Sequence, residues 1–211
     1  MGAGCCSSGC HGPSSEVAPR FRKALWAALV INAGMFLVEI VAGVAAGSSS
    51  LQADALDFFG DAANYGVSLF VLGMSLRHRA MASVLKGATM GAFGLWVIGN
   101  TGYHLLTGTV PEAAVMGAVG IAALVANVVV AVMLYAFRDG DSNMRSVWIC
   151  SRNDAIGNLA VLGAASGVFA TGSGWPDFAV AGIMAALALS GAAQVLRHAL
   201  AELRSVAVAT E

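Results

Sequence analysis

Six long apolar segments dominate the sequence and limit what the chain can fold into. A helix needs about 20 apolar residues to cross the hydrocarbon core of a bilayer, and segments of this kind occupy residues 24–46, 51–75, 80–106, 112–137, 143–171 and 177–198. Over the whole chain 58% of the residues are hydrophobic and 11% are charged, which is typical of an integral membrane protein. We therefore predict an all-α integral membrane protein with six transmembrane helices.

Lysine and arginine residues are concentrated at one end of these segments. They lie before segment 1, around the connection between segments 2 and 3 (where we place Lys86), between segments 4 and 5 and after segment 6, with Arg152 as the exception. The other connections, GSSS, TGTVPE and ATGSGWPD, contain no basic residue. By the positive-inside rule both termini are cytoplasmic. Because the sequence carries no organelle-targeting signal, a bacterial inner membrane is the simplest location.

The segments that flank the apolar region are short. We expect residues 1–23 to be a flexible cytoplasmic tail, residues 24–198 to be a six-helix transmembrane domain, and residues 199–211 to be a short cytoplasmic tail. The first tail is rich in Gly and Ser and holds closely spaced thiols beside an imidazole, a set that suits a soft or borderline metal ion. These residues are Cys5, Cys6, Cys10 and His11. An unstructured tail with incidental cysteines is the alternative interpretation.

Segment 2 carries three aspartates within about two turns of helix. Asp54, Asp57 and Asp61 in LQADALDFFGDAANYG are spaced i, i+3, i+7 and share one face. A carboxylate that faces lipid costs several kcal/mol, so this face must look into the helix bundle or a wet cavity. The alternative is a purely structural role, in which a buried, protonated carboxyl group hydrogen-bonds to a neighbouring helix. Three carboxylates on one face make this alternative less favoured.

Segment 5 offers a matching polar face. Cys150, Asp154 and Asn158 recur at i, i+4, i+8 in SVWICSRNDAIGNLAV, and the helical rise puts Asp154 and Asp61 at compatible depths near the middle of the membrane. Two donors from each helix make four, which is what a tetrahedral divalent cation requires. The predicted metal ligands are Asp57, Asp61, Cys150 and Asp154.

These motifs resemble the cation diffusion facilitator family, proton-coupled exporters of divalent transition metals. GSSSLQADALDFFGDA (47–62) is similar to the family's small-residue loop followed by ADAxHxxxD or ADAxDxxxD, and DSNMRSVWICSRNDAIGN (141–158) is similar to its DxNxRxxxxHxxxDxxxS/N motif. GWPD (174–177) resembles the family's W-x-D stretch, and a common pattern of segment 1 is matched by Asn32, Phe36, Glu39 and Gly43. The resemblance covers roughly residues 24–198.

The resemblance implies the same four ligand positions and a homodimer. Cys150 stands where the family usually has histidine, and the sequence ends without the family's cytoplasmic C-terminal domain, so we expect a short form that dimerises through its membrane helices. Residues that could surround the ligands or line the entrance are Asp54, Asn153, Asn158 and Glu39. The expected partners are a divalent metal ion, protons, membrane lipid and a second copy of the chain.

Charge and ligand chemistry indicate how such a site would work. Three carboxylates and a thiolate overcompensate a divalent ion, so the empty site should hold protons that the metal displaces, which is the basis of antiport. A Cys150 thiolate favours Zn(II) and Cd(II). If Cys150 stays a neutral thiol, Asn153 or Asn158 would complete an oxygen-rich site that prefers Co(II), Fe(II) or Mn(II).

Other classes of function fit the sequence less well. Intramembrane aspartyl proteases also pair aspartates from two helices, but their GxGD and PAL patterns are missing, so we predict no enzymatic activity, no cofactor besides the transported ion and no nucleic-acid partner. A proton-coupled exporter of organic cations would need an aromatic cage, for which Phe58, Phe59 and Tyr65 are the candidates near the aspartates. A membrane metal sensor that uses the Cys-rich tail stays open.

Overall fold

A computed structural model describes residues 17–70, 76–138 and 142–208. This part of the chain folds into six α-helices and contains no strand, which confirms the predicted all-α class. The helices are α1 (Val17–Ala45), α2 (Ser49–Phe70), α3 (Leu76–Thr107), α4 (Ala113–Tyr135), α5 (Ser142–Thr171) and α6 (Trp175–Val208). Each apolar segment of the sequence corresponds to one helix.

Most of the helices are suited to a bilayer by length and composition. Within the described ranges five spans qualify, namely Pro19–Ala45, Ala80–Thr107, Ala113–Tyr135, Ser151–Thr171 and Trp175–Arg204. Helix α2 has 22 residues, or about 33 Å at 1.5 Å per residue, so it is long enough as well. Its three aspartates make it the exception in composition. The molecule is a multi-pass membrane protein whose second helix must be shielded from lipid.

The first and last helices extend beyond the apolar segments. Phe21 is buried, and its ring centroid lies 5.2 Å from that of Phe137 in an edge-on contact. This contact anchors residues 17–23, so the end of the tail expected over 1–23 is helical instead of flexible. At the other end Ala199 is buried and is followed by the good helix formers of ALAELR. Helix α6 therefore includes most of the tail expected over 199–211.

Helix α2 occupies a central place in the bundle. The main packing pairs are α1 with α2, α3 with α6 and α4 with α5, and α2 also contacts α3, α5 and α6. Helices α1 and α2 approach closely at Gly43, where a Cβ atom would lie 2.9 Å from Gln52 Cγ. Gln52 Nε2 donates a hydrogen bond to the Gly43 carbonyl oxygen at 3.2 Å. Such close approach of two helix backbones requires a small residue.

Two apolar clusters enclose the polar middle of α2. One cluster contains Leu51 and Leu56 from its first half and packs against α3, α4, α5 and α6. The other contains Tyr65 and Leu69 from its second half and packs against α1 and α4. Asp61 lies between the two clusters. Water-excluding packing on both sides therefore frames the polar groups of this helix.

The N-terminus of α2 is capped by a carboxylate from α6. Asp177 Oδ1 accepts hydrogen bonds from Ser48 Oγ at 2.7 Å, Ser50 Oγ at 2.6 Å and Ser50 N at 3.0 Å, while its Oδ2 accepts one from Ser49 N at 2.7 Å. The first N–H groups of a helix lack partners within the helix and favour a negative charge. The GSSS and GWPD motifs of the sequence thus meet, and they fix the start of α2 against the start of α6.

Candidate metal centre

The carboxyl groups of Asp61 on α2 and Asp154 on α5 lie within hydrogen-bond reach of each other. Tyr65, one turn after Asp61, donates its hydroxyl to Asp61 Oδ2 at 2.9 Å. The same hydroxyl oxygen lies 2.9 Å from Ser151 Oγ, within hydrogen-bond distance. Tyr65 and Ser151 are both buried. This chain of contacts connects α2 to α5 at the carboxyl pair.

One oxygen of Asp154 has no hydrogen-bond donor in the described part of the chain. Its Oδ2 is buried and accepts no hydrogen bond there, and the Asp154 carboxyl group lies beside that of Asp61. A buried polar atom without a partner costs about 1–3 kcal/mol, and two facing carboxylates repel each other in a low-dielectric interior. Protons or a bound cation would remove both penalties.

The other two predicted ligands are Asp57 and Cys150. Asp57 is half-buried one turn before Asp61, and its charge interacts with those of Asp61 and Asp154. Cys150 precedes Asp154 by one turn of α5, and its side chain lies outside the described residues. Among the side chains that are described, no three His, Cys, Asp or Glu residues lie close enough to hold one metal ion. The structure brings Asp61 and Asp154 together, and the four-ligand set stays a prediction.

Three of the residues expected around the ligands form a network of polar contacts with one further residue. This network is separate from the Asp61–Asp154 pair. Asn158 Nδ2 donates to Asp54 Oδ2 at 2.6 Å, and Asn127 Nδ2 donates to Asn158 Oδ1 at 2.8 Å. The carboxyl group of Glu39 lies within hydrogen-bond reach of that of Asp54. We call Glu39, Asp54, Asn127 and Asn158, from α1, α2, α4 and α5, the four-helix network. Asn127 was missed from the sequence because a lone asparagine in an apolar segment gives no pattern.

Lys86 lies in a different part of the fold from the one expected. The distribution of basic residues put it at the connection between segments 2 and 3, whereas the structure places it inside α3, with its side chain buried. Its ammonium group donates a hydrogen bond to Asn64 Oδ1, and its charge acts on Asp61. A lysine within the apolar segment 80–106 was the signal that could have shown this. Lys86 therefore adds a positive charge that acts on the carboxylates of the site.

The pattern of the sequence also matches a known family over most of its length. The family model of the cation efflux transmembrane domain matches residues 25–204. The chain belongs to the cation efflux family. This match confirms the resemblance to cation diffusion facilitators and supports a metal-cation efflux transporter. A search of the curated proteins finds no match to the chain.

In this cation efflux protein the remaining predicted site residues are Asn153 and four residues of the N-terminal tail. Asn153 is half-buried, and its Oδ1 accepts a hydrogen bond from Arg152 Nη2 at 3.2 Å. Arg152 is exposed, with its guanidinium carbon 5.2 Å from the centroid of the Trp148 ring. All residues of the predicted tail site lie outside the described residues. They are Cys5, Cys6, Cys10 and His11.

Proposed function

We propose that this cation efflux protein exports a divalent transition-metal ion from the cytoplasm in exchange for protons, with Zn(II) or Cd(II) as its cargo. The observation that supports this most is the pairing of Asp61 with Asp154 inside a membrane bundle, with a buried oxygen of Asp154 that lacks a donor. Intramembrane carboxylates of this kind mark ion pathways because they are costly to retain for packing alone.

The exchange follows from the charges of the site. A carboxyl pair held at hydrogen-bond distance is stable when it carries a proton or a cation, and metal binds only to the deprotonated form. Loading of the ion therefore expels protons, and protonation expels the ion. Tyr65 orients Asp61 for either partner because its hydroxyl donates to one carboxylate oxygen and leaves the other available.

The remaining two ligands of the proposal are Asp57 and Cys150, each one helical turn from a member of the pair. A thiolate at position 150 gives the site the sulfur donor that zinc and cadmium prefer over manganese or magnesium. In this proposal the ion reaches the site from the cytoplasmic side, and rocking of helices around a fixed site exposes it to the other side.

The proposal also covers the orientation of the protein in the membrane and its oligomeric state. Arg and Lys flank the end of the bundle that holds both termini, so this end faces the cytoplasm. We propose a homodimer in a bacterial inner membrane, in which the partner copy covers apolar surface of the membrane helices.

The test is metal flux into proteoliposomes under an imposed pH gradient, with Zn, Cd, Co and Mn as cargo. We expect gradient-dependent Zn and Cd flux from the natural protein and none from Asp57→Asn or Asp154→Asn. Glu112→Gln removes an exposed carboxylate next to α4 and serves as the matched control. Binding of metal without flux in the natural protein would contradict transport and favour a sensor. Flux of Co or Mn in preference to Zn would contradict the thiolate ligand.

A further inference from the structure

The four-helix network is separate from the Asp61–Asp154 pair, and the exchange described above does not use it. Asp54 and Asp61 are seven residues apart on α2, or about 10 Å along its axis at 1.5 Å per residue. Glu39 is 0% exposed and Asp54 is 2% exposed, and their carboxyl groups are within hydrogen-bond reach. Two ionised carboxylates in such a contact would repel each other strongly. The contact is stable when the two groups share a proton.

The hydrogen bonds around the pair indicate which carboxyl carries that proton. Asn158 Nδ2 donates to Asp54 Oδ2 at 2.6 Å, a charge-assisted bond that favours Asp54 as the carboxylate. Neither oxygen of Glu39 accepts a hydrogen bond from an N–H or O–H group of the described residues. A protonated Glu39 has a hydroxyl to donate, and Asp54 is the acceptor within its reach. The proton therefore belongs on Glu39.

The charged groups of the described residues that act on this pair are acidic and include predicted metal ligands. Asp57 on α2 acts on Glu39, and Asp154 on α5 interacts with Asp54. Helix α4 contributes the amide of Asn127, whose Oδ1 is buried without a partner among the described residues. A divalent ion on Asp57 and its neighbours would replace negative by positive charge next to the pair. That change favours the ionised form of both carboxyl groups.

We propose that Glu39 and Asp54 form a proton-binding site distinct from the metal ligands, and that metal bound between α2 and α5 releases the proton from it. This inference rests on the proposed function, because it assigns one of the exchanged protons to a place in the fold. The O–H bond of Glu39 breaks when the ion arrives, and the proton leaves to water. The bond forms again when the ion departs, because the repulsion between the two carboxylates returns.

The first test counts the protons released when Zn²⁺ binds to the purified protein in weakly buffered detergent with a pH-indicator dye. Glu39→Gln should release about one proton fewer per ion bound than the natural protein, and it should still bind Zn²⁺ but more weakly, because the ion no longer gains from an ionised Glu39. Glu39→Asp keeps a carboxyl group and should restore the release. Glu112→Gln is the matched control, since Glu112 is exposed, and it should behave as the natural protein does.

The second test separates coupling from metal transport in proteoliposomes. Glu39→Gln should retain the exchange of Zn²⁺ for Zn²⁺ across the membrane but accumulate less Zn²⁺ under the same pH gradient, because one proton fewer is exchanged per ion. Unchanged proton release in Glu39→Gln would overturn the proposal. Loss of measurable Zn²⁺ binding together with proton release would also overturn it, because Glu39 would then be part of the metal site. Asp54→Asn gives the same readout if Glu39→Gln does not fold. Failure of the natural protein to move Zn²⁺ would instead refute the proposed function.

Discussion

Tyr65 donates its hydroxyl to Asp61 and connects this carboxylate of α2 to Ser151 of α5. The tyrosine is 1% exposed, so water cannot easily replace the hydroxyl. Because the contact bridges two helices, Tyr65 sets both the orientation of the Asp61 carboxylate and the distance between α2 and α5 at the candidate site.

Replacement of Tyr65 by phenylalanine should therefore weaken metal binding without unfolding the protein. The change keeps the ring in its apolar cluster but leaves Asp61 and Ser151 without their shared partner. A lost hydrogen bond to a charged group is worth about 1.5–3 kcal/mol, so we expect Zn²⁺ affinity to fall about tenfold or more. Titration calorimetry of Tyr65→Phe measures this, with Tyr103→Phe on the exposed side of α3 as the control. Equal loss in both variants would contradict the role of Tyr65.

Asp61 and Asp154 should act as a unit in metal binding. Since the two carboxyl groups face each other, removing either charge relieves the repulsion as well as removing a ligand. We expect Asp61→Asn and Asp154→Asn each to weaken Zn²⁺ binding strongly, and the double variant to bind Zn²⁺ little more weakly than either single variant. A double-mutant cycle on the Zn²⁺ dissociation constants measures this coupling. Independent, additive losses would show that the two residues do not share an ion.

Cys150 should determine which metal the protein prefers. The sequence holds four cysteines, so replacing Cys5, Cys6 and Cys10 by serine leaves Cys150 as the sole thiol. Addition of Cd²⁺ to this variant should produce a sulfur-to-cadmium absorption band that Cys150→Ser removes, and the ratio of Cd to Mn affinity should fall at least about tenfold. A spectrum without that band would rule out a thiolate ligand and favour the oxygen-rich site. If the triple variant binds one metal ion fewer than the natural protein, the predicted tail site binds metal.

Lys86 should lower the affinity of the site for divalent cations. Its buried ammonium group acts on Asp61 from α3, so it competes electrostatically with an incoming ion. We expect Lys86→Met to bind Zn²⁺ several-fold more tightly, by calorimetry at constant pH. The exposed Lys23 on α1 provides the control in Lys23→Met. Weaker binding in Lys86→Met would mean that the lysine positions Asn64 and Asp61 rather than repelling the ion.

Asp177 should stabilise the fold without contributing to metal binding. Asp177→Ala removes four hydrogen bonds at the start of α2, and the buried groups left behind make a loss of about 2–5 kcal/mol reasonable. Thermal unfolding in detergent measures the change. Glu112→Ala is the matched control, because Glu112 also lies at the start of a helix but makes no side-chain capping bond. A stability of Asp177→Ala equal to that of the control would contradict this role.

The sequence predicts the helices better than it predicts their contacts. Hydropathy and spacing suffice for six helices and for the polar face of Asp54, Asp57 and Asp61, because both depend on local periodicity. The contact of Glu39 with Asp54 depends instead on which side of α1 meets α2, and no local pattern encodes that. The burial of Lys86 was missed because a positive charge near a loop usually marks the membrane surface.

The cap on α2 also has a consequence for how the chain is assembled. Ser49 and Ser50 are synthesised more than one hundred residues before Asp177, so α2 enters the membrane while the acceptor for its first amide groups does not yet exist. Until α6 is inserted, the helix that carries Asp54, Asp57 and Asp61 begins with unsatisfied N–H groups. Completion of α2 is thus tied to completion of the chain, and a nascent protein that stops before α6 leaves its ion-binding helix unfinished.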